Sequence, residues 1–385
     1  MRSPHLRDTL RRFCLAAFAS WHGAELPFAF EEHGSYGRPT LYEYRPLVRG
    51  YVEAHAGQLR ERDDVRQALA DLEREPAARI YDDLYRSVLV PLLVRTAEGC
   101  GGFDWDDAAF ERAYAELEES LYGDGHSYGA VAPLVGVSIG ASQIELGDGI
   151  RVRQAKTGEL SAMWPESAAL LPRDFGREPD RLCLLELERS VETEVPDAPG
   201  ELADAVTALR LATEAPVAAG PVLFERLDWR PYGIRPVLPI AATPPPGEAT
   251  RLDPFRATVA ARLRPLLGLA DGDAQLGDAL DRWELSLFQT DPFRAEQLRH
   301  ALDAALGNGE GRYAAAMRAA ALLGETADER ATLAERLREP SPELVRRMLV
   351  AVLVHGDRRG LLRELDGALL GLRAGRERVA ELRAS

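Results

Sequence analysis

The chain changes character at one short stretch, Ala241–Gly247, which reads AATPPPG. Three consecutive prolines fix φ and donate no backbone N–H, so this stretch can continue neither a helix nor a central strand. Before it, over about residues 126–240, apolar residues alternate in short runs; after it, they recur only at helical spacing. The sequence therefore predicts a connector over residues 241–250 between two units of different class.

The part before the sheet-like region, residues 1–125, is predicted to be mostly helical. Residues 107–121 carry four apolar side chains at helical spacing, and Asp106 or Asp107 can serve as the N-cap. The segment Glu31–His33 has no metal-ligand spacing around it, and we expect it to lie in a solvated loop.

Residues 126–240 carry the signals of an α+β region. The two halves of Gln143–Gln154 flank Gly147–Asp148–Gly149, a turn sequence that favours a hairpin. The other expected elements are strands within Ala130–Ser138, Arg181–Val191 and Val222–Trp229, and a helix at Ala203–Leu211. The predicted fold class is α+β overall, with a helical N-terminal segment and an α+β middle region.

Residues 251–385 are predicted to form an all-α domain. Ser341 followed by Pro342 is a typical helix start, and Thr326 with Glu329 forms a capping-box pattern. The run Met348–Val354 is apolar all round, so we expect it to be buried on every side. The remaining helical periods are Val259–Leu267, Leu276–Phe288, Ala295–Leu306, Arg312–Leu323 and Ala327–Leu337.

Composition narrows the classes of function. The net charge of −15 over 385 residues argues against a broad basic face for nucleic acid, and no DNA partner is expected. Residues 343–385 nevertheless contain nine arginines and six acidic residues, so a local basic surface can exist there. Three scattered cysteines and no apolar run of about eighteen residues favour a cytoplasmic protein without disulfides, zinc or a membrane span.

The stretch Gly136–Gly140 matches the pattern G-x-S-x-G, which in hydrolases places a nucleophilic serine on a sharp turn between a strand and a helix. Here Ser138 is followed by another strand-like stretch. We therefore interpret it as a glycine-rich strand connection, with hydrolase as the weaker alternative.

Three segments of the C-terminal part carry a family resemblance. They are Glu296–Leu306 with Asp303 inside it, Tyr313–Gly324 with the run from Arg318 to Gly324, and Leu353–Val–His355–Gly356. Their order and spacing resemble the Apea-like branch of the HEPN superfamily over about residues 250–375. A weaker similarity to the region preceding that domain extends over Leu146–Arg153 and Thr207–Leu211.

This resemblance implies an all-helical domain that pairs as a homodimer and, in active members, cleaves RNA without a metal or cofactor. Such members are often defence or stress effectors. His355 would then exchange a proton with the ribose 2′-OH or the leaving oxygen, and an arginine would stabilise charge on the phosphate. Asp303 stands where the family has its acidic residue.

The sequence departs from the family at the catalytic arginine. The Arg and Ser positions of the motif Arg-Ser-x-x-x-His-Gly fall on Val350 and Ala351. Arg347 lies eight residues before His355, about 80° away around a helix. The remaining candidates for contact with RNA are Arg346, Arg358 and Arg359.

Two functional classes follow. In the first, the chain is an RNA-directed defence or stress protein with a retained or weakened metal-independent endoribonuclease. In the second, it is a noncatalytic dimerising module that binds RNA, a nucleotide or a protein partner. His355 itself also fits a plain helix C-cap, where a cation is favoured by the helix dipole.

Overall fold

The computed structural model describes residues 2–26, 28–33, 41–46, 48–81, 83–123, 125–155, 160, 163–164, 167–170, 183–191, 194–220, 222–228, 230–236 and 249–371. Within this part it is an α+β protein with helices at both ends and a central antiparallel sheet. The predicted fold class is therefore confirmed.

The N-terminal part is helical, as predicted, with one exception. Asp106 starts the predicted helix, because its side chain accepts a hydrogen bond from the N–H of Ala108. The prediction of a loop at Glu31–His33 was wrong, since these residues pair with Leu41–Glu43 in an antiparallel hairpin. The elements are α1 (Pro4–Trp21), β1 (Phe28–His33), β2 (Leu41–Pro46), α2 (Val48–Leu59), α3 (Asp63–Leu72), α4 (Val90–Cys100) and α5 (Asp107–Tyr122), with a 3-10 turn at Pro76–Ile80 and a π turn at Tyr85–Leu89 before α4.

A central antiparallel sheet occupies the middle region, in the strand order β10-β9-β3-β7-β6-β5, and β8 pairs with the end of β3. The predicted hairpin and strands are confirmed, and Ser138 lies inside a short strand followed by another strand, which does not fit a nucleophile elbow. The elements are β3 (His126–Val135), β4 (Val137–Ile139), β5 (Gln143–Gly147), β6 (Ile150–Gln154), α6 (Ser167–Leu170), β7 (Cys183–Val191), α7 (Ala198–Thr213), β8 (Ala218–Ala219), β9 (Val222–Leu227) and β10 (Arg230–Pro236).

The two faces of this sheet bury different side chains, because neighbouring residues of a strand point to opposite sides. Ala130 and Ala132 of β3 belong to the main hydrophobic core. Val131 between them packs instead with Phe224 and Trp164, whose ring centroids lie 5.2 Å apart. Both faces are therefore covered near β3.

The predicted connector, residues 241–250, lies outside the described residues up to position 248. At its end the chain forms a strand that was not predicted. This strand, β11 (Thr250–Leu252), pairs in parallel with Val137–Ile139 of β4. A short strand thus opens the C-terminal part, which continues as helices. The prediction of helices alone was wrong at these first residues, since a backbone ladder to β4 was available there.

The C-terminal helices match their predicted periods, and two predicted caps are confirmed. Thr326 and Glu329 form the capping box, and Ser341 caps the helix that begins at Pro342. The elements are α8 (Pro254–Leu263), α9 (Gly268–Asp271), α10 (Ala274–Leu287), α11 (Phe293–Leu306), α12 (Arg312–Leu323), α13 (Ala327–Arg336), α14 (Pro342–His355) and α15 (Arg358–Leu369), with a 3-10 turn at Arg264–Leu266.

The expected burial of Met348–Val354 on all sides was wrong. Met348 and Leu349 are buried in the core, whereas Val350 is half-buried and Val354 is 36% exposed. One side of α14 packs on α10, α11 and α12 while the other faces outward. An apolar helical run shows what a helix can bury, but not how many neighbours surround it.

The structure also describes the helix lengths and the cysteine thiols. In the described ranges, no helix combines the length and the apolar character that crossing a bilayer requires. Cys14, Cys100 and Cys183 carry free thiols, of which the first and last are buried. Burial raises the pKa of the Cys183 thiol, so this group is a poor nucleophile.

Candidate functional site

His355 occupies the last turn of α14. Gly356 follows it in the left-handed conformation with φ +80°, and its N–H donates to the carbonyl of Val352 at 3.3 Å. The His355 side chain is 14% exposed, and its Nε2 lies 3.5 Å from Oε2 of Glu364 on α15. Its Nδ1 is buried without a hydrogen-bond partner in the described part of the chain.

A strip of exposed and half-buried side chains runs along α14 toward His355. Arg347 is exposed and forms no ion pair with the described residues. Val350 and Ala351, which stand at the motif positions for Arg and Ser, pack partly against the core, and Val354 is exposed. Arg347 lies about 12 Å before His355 along the helix axis. The strip is apolar between one arginine and one histidine.

Two of the predicted RNA-binding arginines hold the fold together. Arg346 donates from Nη1 to the carbonyl of Leu211 at 3.1 Å, which ties α14 to α7. Arg358 is 8% exposed and donates from Nε to Asp273 Oδ2 at 2.7 Å. The Arg358 guanidinium is therefore engaged within the fold, whereas Arg346 is 25% exposed, with Nε 3.5 Å from Oε2 of Glu214.

Arg318, from the motif helix α12, is also structural. It is 3% exposed and donates from Nη1 to the carbonyl of Leu306 at 2.9 Å and from Nε to Asp366 at 2.6 Å. It therefore satisfies the C-terminal carbonyls of α11 and fixes α15 beside them. This part of the resemblance has a structural explanation that requires no RNA.

The other two predicted residues lie apart from His355. Arg359 is exposed at the start of α15. Asp303 lies on α11, half-buried, with Oδ1 lacking a hydrogen-bond partner in the described part of the chain. No hydrogen bond or ion pair joins His355, Arg347 and Asp303, all three of which are described. Within one copy, the predicted catalytic set is not assembled.

A buried polar cluster that the sequence reasoning missed joins α5 to the sheet. Arg230, 1% exposed, donates to Tyr81 and Ser120, and its guanidinium carbon lies 4.8 Å from the centroid of the Tyr81 ring. Ser120 in turn donates to Asp228, whose Oδ2 lies 3.1 Å from Nδ1 of His126. We name these five residues the Arg230 cluster.

The Ser, His and Asp of the Arg230 cluster do not form a hydrolase triad. A triad serine donates to the histidine, whereas Ser120 donates to the aspartate and is 5% exposed. Burial alone would raise the pKa of Asp228, but hydrogen bonds from His126, Ser120 and the N–H of Ser127 lower it overall. The cluster is therefore a structural network with an ionised centre.

A second missed pair joins α7 to α10. Arg210 Nη1 lies 2.7 Å from Glu284 Oε2, with both side chains 3% exposed. The signal in the sequence was a charge inside each of two otherwise apolar helical faces, at Ala203–Leu211 and Leu276–Phe288. Such a charge needs a buried partner, although sequence alone does not say which.

Comparison with protein-family models, with curated proteins and with solved structures finds no match to this chain. In the part of the chain that the structure describes, no three His, Cys, Asp or Glu side chains are grouped to hold a metal ion. The HEPN resemblance thus depends on the motif residues alone and stays a prediction.

Proposed function

We propose that the chain is a cytoplasmic, RNA-directed defence or stress protein of the HEPN type that pairs with a second copy through α14. The observation that carries the proposal is the outward strip of α14, with Arg347 at one end, the apolar Val350 and Val354 between, and His355 at the other. An apolar helix face bordered by polar residues is typical of a helical pairing surface.

The chemistry assigned to this strip is a metal-independent attack of a ribose 2′-OH on the adjacent 3′-phosphate. The P–O2′ bond forms, the P–O5′ bond breaks, and the 5′-oxygen leaves with a proton. His355 takes the proton from the 2′-OH or delivers one to the leaving oxygen, and Oε2 of Glu364 lies 3.5 Å from its Nε2. Arg347 and Arg359 are exposed and contact phosphates. Because Val350 replaces the motif arginine, one donor to the developing charge is missing, which lowers the rate about 10²–10³-fold.

Cleavage is tested on total RNA in the presence of a chelator. The wild type should cleave slowly, and His355→Ala should abolish cleavage while His300→Ala leaves it intact. His300 is a matched control, because it is an exposed histidine beside a carboxylate, Glu296, at 3.7 Å. Equal activity of both variants would remove His355 from the reaction.

Restoring the motif arginine is the sharper test. Val350→Arg should raise the cleavage rate, because a guanidinium then stands five residues before His355. Val350 is half-buried at the surface of α14, so the arginine stem can cover apolar surface while its head reaches solvent. A folded Val350→Arg protein with no gain in rate contradicts the assigned chemistry.

Pairing through α14 is tested by sedimentation. The wild type should have twice the 42.3 kDa chain mass at high micromolar concentration. Val354→Glu places a charge in the pairing surface and should yield monomers, whereas Phe255→Glu should not. Phe255 is a suitable control because it is apolar and 77% exposed on α8. A wild type that sediments as a monomer excludes the pairing.

A noncatalytic module that binds RNA is the second candidate. Its specific support is the apolar Val350 and Ala351 at the motif positions for Arg and Ser, which leave no motif arginine for catalysis, together with the exposed Arg347 and Arg359. In that case labelled RNA should bind without being cleaved, and Arg347→Ala should weaken binding about uniformly across sequences. A wild type that binds no RNA eliminates both candidates.

A further inference from the structure

A cavity of about 380 Å³ lies where α7 of the middle region meets α9 and α10 of the C-terminal part. Its floor and walls include the apolar Leu267, Ala270 and Leu280. Its polar lining is Asp204, Thr207, Arg210, Asp271, Asp281 and Glu284. We call it the acidic cavity.

The acidic cavity carries an excess of negative charge. Four carboxylates line it against one guanidinium, and that guanidinium already pairs with Glu284 at 2.7 Å. Asp271 and Asp281 are exposed at its edge, Asp204 is half-buried and Glu284 is buried. The low-dielectric walls concentrate the electric field of these carboxylates, and this field attracts cations.

One buried oxygen points to a missing donor. Glu284 is 2% exposed, and its Oε2 accepts from Arg210, whereas its Oε1 is buried and accepts no hydrogen bond of ordinary length in the described part of the chain. Burial raises the pKa of this carboxyl, and Arg210 and the Thr207 hydroxyl beside it oppose that rise. A buried carboxylate oxygen costs free energy when it is left without a donor. Because Glu284 lines the cavity, a ligand bearing N–H groups can supply that donor.

Two of the lining acids have raised pKa values. Burial and the charge of Asp271 raise the pKa of Asp204 to about 6. Burial and the charge of Asp278 raise the pKa of Asp281. Arg264 beside Asp204 and Arg282 beside Asp281 oppose these shifts without offsetting burial and the neighbouring carboxylates.

The carboxylates are spread around the cavity, not gathered at one point. In the described ranges, no three acidic, histidine or cysteine side chains are grouped for a metal ion. An extended molecule with several separated cationic groups can contact more of these separated carboxylates than a single metal ion can. Its methylene segments can also lie against Leu267, Ala270 and Leu280.

We propose that the acidic cavity binds a linear aliphatic polyamine, with one ammonium group donating to Oε1 of Glu284 and a second lying between Asp204 and Asp281. The ligand touches α7 on one side and α9 and α10 on the other. Its binding therefore joins the middle region to the C-terminal helices, independently of whether those helices act on RNA.

The test is calorimetric titration of the full chain with spermidine at about 0.15 M salt. Saturable binding is expected, and Asp281→Asn should weaken it about 5- to 10-fold. Asp278→Asn is the matched control, because it removes the same charge one turn away on α10 from a residue that pairs with Arg282 at 3.2 Å and does not line the cavity. Because the charge of Asp278 raises the pKa of Asp281, its removal leaves Asp281 more readily ionised, and the affinity should not fall.

Three outcomes overturn the proposal. The first is the absence of saturable spermidine binding. The second is equal weakening by Asp278→Asn and Asp281→Asn, which indicates attraction to the acidic surface in general. The third is displacement of spermidine by magnesium at equal ionic strength, which indicates a metal site. None of these readouts depends on ribonuclease activity.

Discussion

Two buried arginines join the central sheet region to the helices on either side of it, and their surroundings differ. Arg230 lies in the Arg230 cluster, where Tyr81, Ser120, Asp228 and His126 all have partners inside the network. Arg210 pairs with Glu284, which leaves one oxygen without a donor beside a cavity.

We call the Arg230 cluster a closed network, because its side chains are partnered within the fold. The Arg210–Glu284 pair is an open one, because it borders a cavity. In the closed network, each of the five side chains has a partner within the fold, and the network positions α5 against the sheet. In the open pair, the fold leaves an acceptor and a space beside it. Buried polar groups of the first kind stabilise a structure, whereas a group of the second kind needs a further explanation, which for Glu284 is the proposed polyamine.

The largest expected effect is on the closed network. Arg230→Met should lower the free energy of unfolding by about 3–5 kcal/mol, because it leaves the ionised Asp228 and two hydroxyl groups buried without their cation. Urea unfolding of the full chain measures this loss. If Arg230→Met lowers the free energy of unfolding no more than Arg210→Met does, the two networks do not differ in the way described.

Arg210→Met should cost less, about 2–3 kcal/mol, because Glu284 can take up a proton and contact water in the cavity. Burial already raises the pKa of Glu284, and losing the cation raises it further. A carboxyl with a raised pKa favours folding at low pH, and that contribution is lost as the pH rises. The loss of unfolding free energy in Arg210→Met should therefore be smaller at pH 5 than at pH 8. A loss that does not depend on pH contradicts this explanation.

The smallest expected effect concerns the edge of the acidic cavity. Asp204→Asn should raise the free energy of unfolding near pH 7 by about 1 kcal/mol, once solvent screening of this half-buried group is allowed for. The folded-state pKa of about 6 lies above the ordinary value. Its contribution to stability is therefore present below about pH 4 and lost as the pH rises through 6. The gain of the variant should vanish at low pH.

Much of the helical fold could be predicted from the sequence, since its signals are local. Ser341 with Pro342, and Thr326 with Glu329, fix helix starts through groups a few residues apart. The hairpin at Glu31–His33 was missed, although Tyr42 and Tyr44 alternate with polar residues in its second strand. The first strand gives the weaker signal, because Glu31, Glu32 and His33 are all polar and show no period of two.

The candidate site was less predictable, because its contacts span long stretches of chain. The position of His355 at a helix end followed from Gly356, but its partner Glu364 depends on how α15 turns back. Arg210 and Glu284 are separated by 74 residues. A sequence shows that each charge needs a partner without showing which one it finds.

The parallel pairing of β11 with β4 has a consequence for synthesis on the ribosome. Val137 leaves the exit tunnel about 110 residues before its partner Thr250, a delay of roughly 5–20 s at ordinary translation rates. During that delay the edge of β4 is open to other strands. Because this strand is only three residues long, the nascent chain presents too short a template for a lasting wrong pairing.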